Sequence, residues 1–501
     1  MAVSAALPTT IKRPVSLRKA SSGTAVTVDF HVFCRENRHP IHVWDSVIRT
    51  LSISAILLAA TATGDPLPGR QPHAANPIIA GYFADPSLTT EVGHHYLYAT
   101  LDPWGGATLG CWESADFKSW TYRVLNWPTK AACTSPTSTA SMVWAPSVVR
   151  AADGKFHMYV SVGSEVWAGV ADHPLGPWHD ANGGKPLIAG NFRPGFHMID
   201  AEAFIDTDGQ AYLYWGSGLN WVNGKCWVVK LKPDMVTFDG EVRDVTPGHY
   251  FEGPFMVKHG GRYYLMYSNG KTIEDTYQVH YAIGDSPLGP FTEAANSPCL
   301  VSDLKNNVRA PGHHAVFEKD GRQFILYHRQ SIPFDPQFIG RQLCVDELKF
   351  TADGLIEKVV PTHAGPAFIQ RRAQATEGVV LTASSQRNPP TTADMAIDDN
   401  HATLWAAAAG DSAAWIQMDL GRQRSLTRQE IRFEYAWKTY RFLVEASADG
   451  KQWQPMADHR KQGVAGSPVV ISAPASARYL KISFPASGME SEPAIFEWTV
   501  Q

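Results

Sequence analysis

A chain of 501 residues is longer than one ordinary hydrophobic core supports, so two or three domains are expected. Charged residues are only 18% of the total and the formal net charge is −4, a balance that lacks the basic footprint nucleic acid requires. Aromatic residues reach 11%, with 16 tryptophans, which suits both a large β core and walls on which sugar rings stack.

The N-terminal region carries a targeting pattern in an unusual place. Residues 51–62, LSISAILLAATA, are an apolar run preceded by Arg49 and closed by Ala60-Thr61-Ala62, a small-residue cleavage pattern. The run is too short to span a bilayer and predicts a signal peptide over 47–62, hence a secreted or periplasmic protein. The 46 residues upstream have no helical or strand period and are read as a non-native extension, with the true start near Val47. The competing reading is a buried apolar segment within a longer N-terminal region. Residues 63–74 are Pro/Gly-rich and predict a linker. Of the six cysteines, Cys34 precedes the expected mature start, and none sits in a CxxC or His-spaced metal pattern. Cys111 and Cys133 flank one loop, leaving a disulfide or buried free thiols as the two readings.

From about 75 to 365, apolar runs of four to eight residues alternate with Gly, Asp, Asn and Pro turns, and no long 3.6-residue period occurs. One pattern recurs five times: Gly, two residues, an aromatic or His, an aliphatic, a large apolar residue. The copies are GHHYLY from Gly93, GKFHMY from Gly154, GQAYLY from Gly209, GRYYLM from Gly261 and GRQFIL from Gly321. A second motif recurs downstream, as ADHPLGPW (171–178) and GDSPLGPF (284–291), with SADFKSW (114–120) in the matching place of the first copy. Units of 52–61 residues with several short strands each predict the blades of an all-β, five-bladed β-propeller.

Shortly before these glycines stand Asp85 (ADPSL), Pro146 (WAPSV), Asp200 (IDAEAF), Glu252 (FEGPF) and His313 (PGHHAV). If the copies are equivalent, these residues lie on the innermost strands and three carboxylates converge. Each acid alone reads equally well as an ordinary turn residue; their shared position relative to the repeat favours a site. Converging carboxylates in an aromatic-lined channel fit glycoside hydrolysis, which needs one protonated acid and one ionised base or nucleophile. A third carboxylate keeps the acid's pKa high. Glu202 is expected on the opposite strand face from Asp200, a minor rival to it. Asp206 and Asp208 read as turn residues.

Past a break at 366–378, read as a linker, residues 379–501 form a second β segment whose alternation in WIQMDLG (415–421) and RYLKISF (478–484) suits half-buried antiparallel strands of a β-sandwich, or jelly roll.

Segment 77–365 resembles glycoside hydrolase family 43, five-bladed propeller enzymes acting on arabinose- and xylose-containing polysaccharides. The matching motifs are ADPS with Asp85, WAPS with Trp144 to Ser147, ID with Asp200, EGPF with Glu252, and PGHHAVF with His313 and His314. The resemblance implies Asp85 as general base, Glu252 as general acid and Asp200 as the residue that modulates and orients the acid, in a single-displacement, inverting reaction. Asp200 is followed by Ala201, where the family often has Pro. The resemblance further implies Trp144 as a sugar-subsite wall, against the reading of a core Trp, and Arg341 as a residue near substrate, against a salt bridge locking the closing blade. His314 or His313 is expected at the channel, as a substrate contact, a hydrogen-bonded structural His, or the holder of a calcium or water cluster. No cofactor is required, and a structural calcium is left open. Segment 379–501 resembles discoidin-like (coagulation-factor C-type, galactose-binding-type) domains through AIDDN, the T-x-W at 403–405, WIQMDLG and S-x-D-G-x-x-W at 447–453, with Trp453 expected to pack inside.

The expectation is a secreted, exo-acting hydrolase removing terminal α-L-arabinofuranose or β-D-xylose from plant cell-wall oligo- and polysaccharides. The alternatives are an endo-arabinanase, a galactan-directed hydrolase, which Asp85 disfavours because galactan-cleaving relatives lack it, and a non-catalytic sugar-binding protein.

Overall fold

A computed structural model describes residues 67–501 except 139–141, 223, 372–375 and 388–390. The expected upstream extension, the signal segment and Cys34 lie outside the described residues.

The five sequence repeats are five successive antiparallel sheets. In the first, Phe83–Glu91, His94–Leu101, Gly110–Ser114 and Thr121–Arg123 follow in order. The second runs Val143–Arg150, Phe156–Val162, Glu165–Ala171 and His179–Asp180, and the third Glu202–Ile205, Ala211–Trp215, Trp227–Leu231 and Arg243–Asp244. The fourth runs Glu252–His259, Arg262–Asn269, Gln278–Gly284 and Thr292–Glu293. The fifth has three strands, Gly312–Lys319, Arg322–Gln330 and Arg341–Leu348. Along the last of these, Asn76–Ile78 adds hydrogen bonds from Ile78 N to Leu343 O, from Val345 N to Asn76 Oδ1 and from Asn76 Nδ2 to Val345 O. The first strands of consecutive sheets pack against one another, and Gly312–Lys319 packs against both Glu252–His259 and Phe83–Glu91.

The repeat pattern has a physical cause at each position. Its glycine sits in the turn between the first two strands with φ of 71–86°, and nothing would crowd a Cβ there. The left-handed backbone, rather than lack of space, selects glycine. Its fifth following residue, where it is Tyr, ties one sheet to the next: Tyr98 OH donates to Pro174 O, Tyr159 OH to Met235 O and Tyr214 OH to Pro287 O. Pro174 and Pro287 belong to the second recurring motif, which turns the third strand into the fourth.

The C-terminal segment stacks two sheets. One has the order Val380–Ala383, Trp415–Leu426, Ala475–Ser483, Leu443–Ser447, Gln454–Asp458; the other Trp405–Ala406, Ala494–Val500, Gln429–Phe433, Val469–Ile471. Ile416, Met418 and Leu420 alternate into the core between them, beside Trp405, Phe433 and Trp498. Trp453 is not in that core as expected: it is half-buried, with Lys481 Nζ 5.8 Å from its ring centre. It follows a tight Asp-Gly turn at the sheet edge, where no second layer covers it.

This sandwich is mortised to the back of the first sheet. Tyr82 packs on Tyr435 and Phe496, and Phe83 meets Trp437 edge-on at 5.5 Å. The stretch expected as a linker is held at the same seam, with Asn400 Nδ2 donating to Gly69 O and Gln71 O, and Arg371 to Ala74 O. The five described cysteines are free and buried, which decides against a Cys111–Cys133 disulfide. Burial raises the thiol pKa of Cys344 to about 11.

Candidate active site

Near the start of the first strand of each sheet stands a residue in the left-handed region: Asp85 (φ 52°), Ala145 (41°), Asp200 (59°), two residues before its strand, Gly253 (60°) and His313 (35°). In four sheets the same point breaks the ladder as a bulge, between Ala84 and Ser87, Trp144 and Pro146, Glu252 and Phe255, and Gly312 and His314. Bulges re-aim side chains, and non-glycine residues hold positive φ only where surroundings enforce it. The enforcing groups come from the seventh residue after the repeat glycine. Thr100 Oγ1 accepts from Ala145 N, Ser161 Oγ from Asp200 N, and Ser268 Oγ from His313 N. His328, the seventh residue of the last copy, lies with Nδ1 3.4 Å from Asp85 N. Four of the five repeats thus hold the site residue of the next sheet, the third having Gly216 at this position.

These residues bring Asp85, Asp200, Glu252 and His313 onto one cavity of about 460 Å³, also lined by Trp104, Trp144, Trp221 and Arg341. Such a volume suits one small sugar ring with its leaving group.

Asp85 is buried inside a cationic and hydrogen-bonding collar. Arg341 Nη1 donates to its Oδ1 at 3.0 Å, His328 Nδ1 and His313 Nδ1 lie 3.2 and 3.3 Å from the same oxygen, and Thr100 Oγ1 donates to Oδ2 at 2.7 Å. Burial alone would raise the Asp85 pKa, but Arg341, His313 and His328 outweigh it and hold the carboxyl far below the ordinary range. Arg341 is itself clamped by Asp102, with Nε to Oδ2 and Nη2 to Oδ1 both at 2.8 Å. It forms a salt bridge between the fifth sheet and the loop after the first sheet's second strand, and it also lines the cavity.

Among the described residues no cation contacts Glu252. Tyr277 OH donates to Oε1 at 2.8 Å and Ser217 Oγ to Oε2 at 2.9 Å. Burial dominates these two bonds and pushes its pKa up to about 7. Asp200 is raised well above the carboxylate range, first by burial, then by Glu252 and Asp85. The site therefore holds one firmly ionised carboxylate and two that keep protons near neutrality.

His313, not His314, faces this cavity. The bulge at Gly312–His314 points the two rings apart, and His314 is 2% exposed with Phe255 at 5.7 Å. Both His314 ring nitrogens have no partner among the described residues, and burial lowers its pKa to about 3. An orphaned imidazole suits a buried water. Calcium takes six to eight oxygen ligands, and among the described residues no group of three His, Cys, Asp or Glu ligand atoms gathers around His314. Trp144 is half-buried on the cavity wall, its Nε1 donating to Gly163 O, rather than in the core. Glu202 faces a separate cavity of about 250 Å³, with Ser87, Ser147 and Gln323, away from Asp200. Asp206 takes no part in the site; it binds Lys258 and Tyr263 OH.

Sequence reasoning missed Asp102, Ser217, Tyr277, His328 and the walls Trp104 and Trp221. Of these only His328 carried a signal, the seventh position of the repeat that it shares with Thr100, Ser161 and Ser268.

A cavity with an ionised carboxylate, proton-holding carboxylates and aromatic walls defines a glycoside hydrolase. The chain belongs to glycosyl hydrolases family 43, whose model matches residues 74–356, and an F5/8 type C domain matches 380–497. It is similar to a β-D-galactofuranosidase, xynD, of Aspergillus niger, 34% identical over 58% of this chain and 86% of that one. It is also similar to an arabinoxylan arabinofuranohydrolase of Bacillus subtilis, 28% identical over 58% of this chain and 65% of the relative. A solved glycoside hydrolase superposes with a TM-score of 0.71 at 29% identity, covering 87% of this chain and all of the other.

Proposed function

We propose that the chain is a secreted or periplasmic, inverting, exo-acting hydrolase that removes terminal α-L-arabinofuranosyl or β-D-xylosyl residues from plant cell-wall polysaccharides. The observation that carries this reading is the opposed protonation of Asp85 and Glu252 on one small cavity. Asp85, ionised, takes a proton from the attacking water. Glu252, protonated, donates to the glycosidic oxygen as the bond breaks. Asp200 lines the same cavity as Glu252, and burial together with the charges of Glu252 and Asp85 makes its ionisation costly, so it stands beside the acid as a second proton-holding carboxyl. Ring contacts between the first strands of the five sheets support a closed five-bladed propeller as the frame.

The Aspergillus niger relative favours a second reading, β-D-galactofuranoside as substrate. α-L-Arabinofuranose and β-D-galactofuranose share their ring configuration and differ by one exocyclic carbon with its hydroxyl. One such group in a pocket changes selectivity by only about 1–3 kcal/mol.

The test is hydrolysis of the 4-nitrophenyl glycosides of α-L-arabinofuranose, β-D-xylose and β-D-galactofuranose, with wild type and Asp85→Ala. Release that depends on Asp85 is expected, fastest from a furanoside. Equal release by both proteins would remove Asp85 as the base, and release from none would favour a polymer-specific enzyme or a sugar-binding protein.

A further inference from the structure

Away from the catalytic carboxylates, three metal-ligating side chains from separate segments of the fourth sheet's outer side converge. His249 stands three residues before Glu252. His280 lies on strand Gln278–Gly284, and Glu293 on the outer strand Thr292–Glu293. His249 Nδ1 is 2.7 Å from Glu293 Oε2, and His280 Nδ1 is 2.7 Å from Oε1. The three ligand atoms lie within 4.8 Å of one another, the one such group among the described residues.

We propose that His249, His280 and Glu293 form a binding site for a divalent transition metal of the zinc class. Two imidazoles and a carboxylate are a donor set zinc takes, whereas calcium and magnesium prefer oxygen. Zinc bonds of about 2.0–2.2 Å at tetrahedral angles separate ligands by roughly 3.3 Å, so the present contacts open only slightly around an ion. The His249 side chain is 68% exposed, which leaves a fourth position for water. Gln278 Nε2 lies 2.9 Å from His280 Nε2. Turning that amide over lets its oxygen accept from Nε2–H and frees Nδ1 for the metal. Lys358 lies near enough to His280 to oppose a cation, and the Glu293 carboxylate in contact with both rings offsets it.

The consequence is local order next to the catalytic acid. The segment 248–251 is already pinned by Asn269 Nδ2 donating to His249 O, Tyr267 OH to Gly248 O and Tyr250 OH to Gly216 O. A metal would clamp its exposed corner to the outer strand.

The test is calorimetric zinc titration, with metal content per chain, on wild type, His249→Ala, Glu293→Gln and, as control, His94→Ala. His94 is also an exposed His beside a glutamate, Glu113 at 3.1 Å, without a second imidazole. One zinc per chain is expected for wild type and His94→Ala. Affinity should fall more than about tenfold in His249→Ala and Glu293→Gln, since even outer-shell changes cost about 10–100-fold. Zinc should raise the Tm of wild type but not of His249→Ala. Absence of a zinc site in wild type, or unchanged affinity in His249→Ala, would overturn the proposal. His249 is exposed, so its variant should fold even if Glu293→Gln does not.

Discussion

Asp85 and Glu252 line the same cavity and both are buried or half-buried, yet their surroundings drive them in opposite directions. Around Asp85 stand a guanidinium and two imidazoles; among the described residues the side chains that hydrogen-bond Glu252 are two hydroxyls. Burial penalises both carboxylates, and the sign of each shift depends on whether a cation answers it. Hydroxyl donors are weaker than a charged partner and leave Glu252 at about 7. The linkage to stability is opposite too. Asp85, depressed, contributes stability above its unfolded pKa of about 3.9 that is lost as pH falls below it. Glu252, raised, contributes stability fully present below its unfolded pKa of about 4.3 and lost as pH rises through about 7.

The largest effect should come from removing the proton itself. Glu252→Gln keeps the shape and the Ser217 contact but cannot protonate a leaving group. On a natural polysaccharide, kcat should fall by about 10²–10⁴ with KM little changed. On a 4-nitrophenyl glycoside, whose leaving group needs less help, the loss should be far smaller. Equal losses on both substrates would assign Glu252 a structural role.

Next comes the collar around Asp85. Arg341→Lys replaces a fork that reaches Asp85 and Asp102 together with a point charge that cannot serve both. The Asp85 pKa should rise, so the acid limb of the kcat/KM profile moves to higher pH. Misplacement of the carboxylate should cost about 10²-fold in kcat/KM. Breaking the buried pair should lower stability by up to about 3–5 kcal/mol, read by chemical denaturation. An unmoved acid limb would detach Arg341 from the base.

The same contrast bears on how much the sequence disclosed. Asp85, Asp200 and Glu252 were legible because the repeat places one residue per sheet near the start of its first strand, and a period survives in one dimension. Glu252 is nonetheless one residue ahead of the left-handed position, which Gly253 occupies, so the register of the repeat was right only to within a residue. His314 was misplaced for the same reason: a bulge lets neighbouring side chains exchange faces, and a pattern of residue types carries no φ. Tyr277, Ser217 and Asp102 were not legible, because they reach the site from strand ends and loops outside the repeat. The all-β sheets followed from alternation and turn residues. Trp453 failed because a tryptophan in a strand pattern does not say whether a second layer covers it.

The smallest and most diagnostic effect concerns Tyr277. Its hydroxyl donates to Glu252, and its ring stacks on His328 at 5.6 Å and 4°, so one side chain touches the supports of both carboxylates. Tyr277→Phe keeps the stack and removes only the donor. A hydrogen bond to an ionised carboxylate lowers its pKa, so losing it should raise that of Glu252 further. Such bonds are worth about 1.5–3 kcal/mol, and one pKa unit is about 1.4 kcal/mol, so the alkaline limb should move up by roughly one to two units. The acid limb should stay, because Arg341, His313 and His328 around Asp85 are untouched. If both limbs moved together, Asp85 and Glu252 would titrate as one coupled system through the Tyr277–His328 stack, and the opposition between their two environments would be one of degree only.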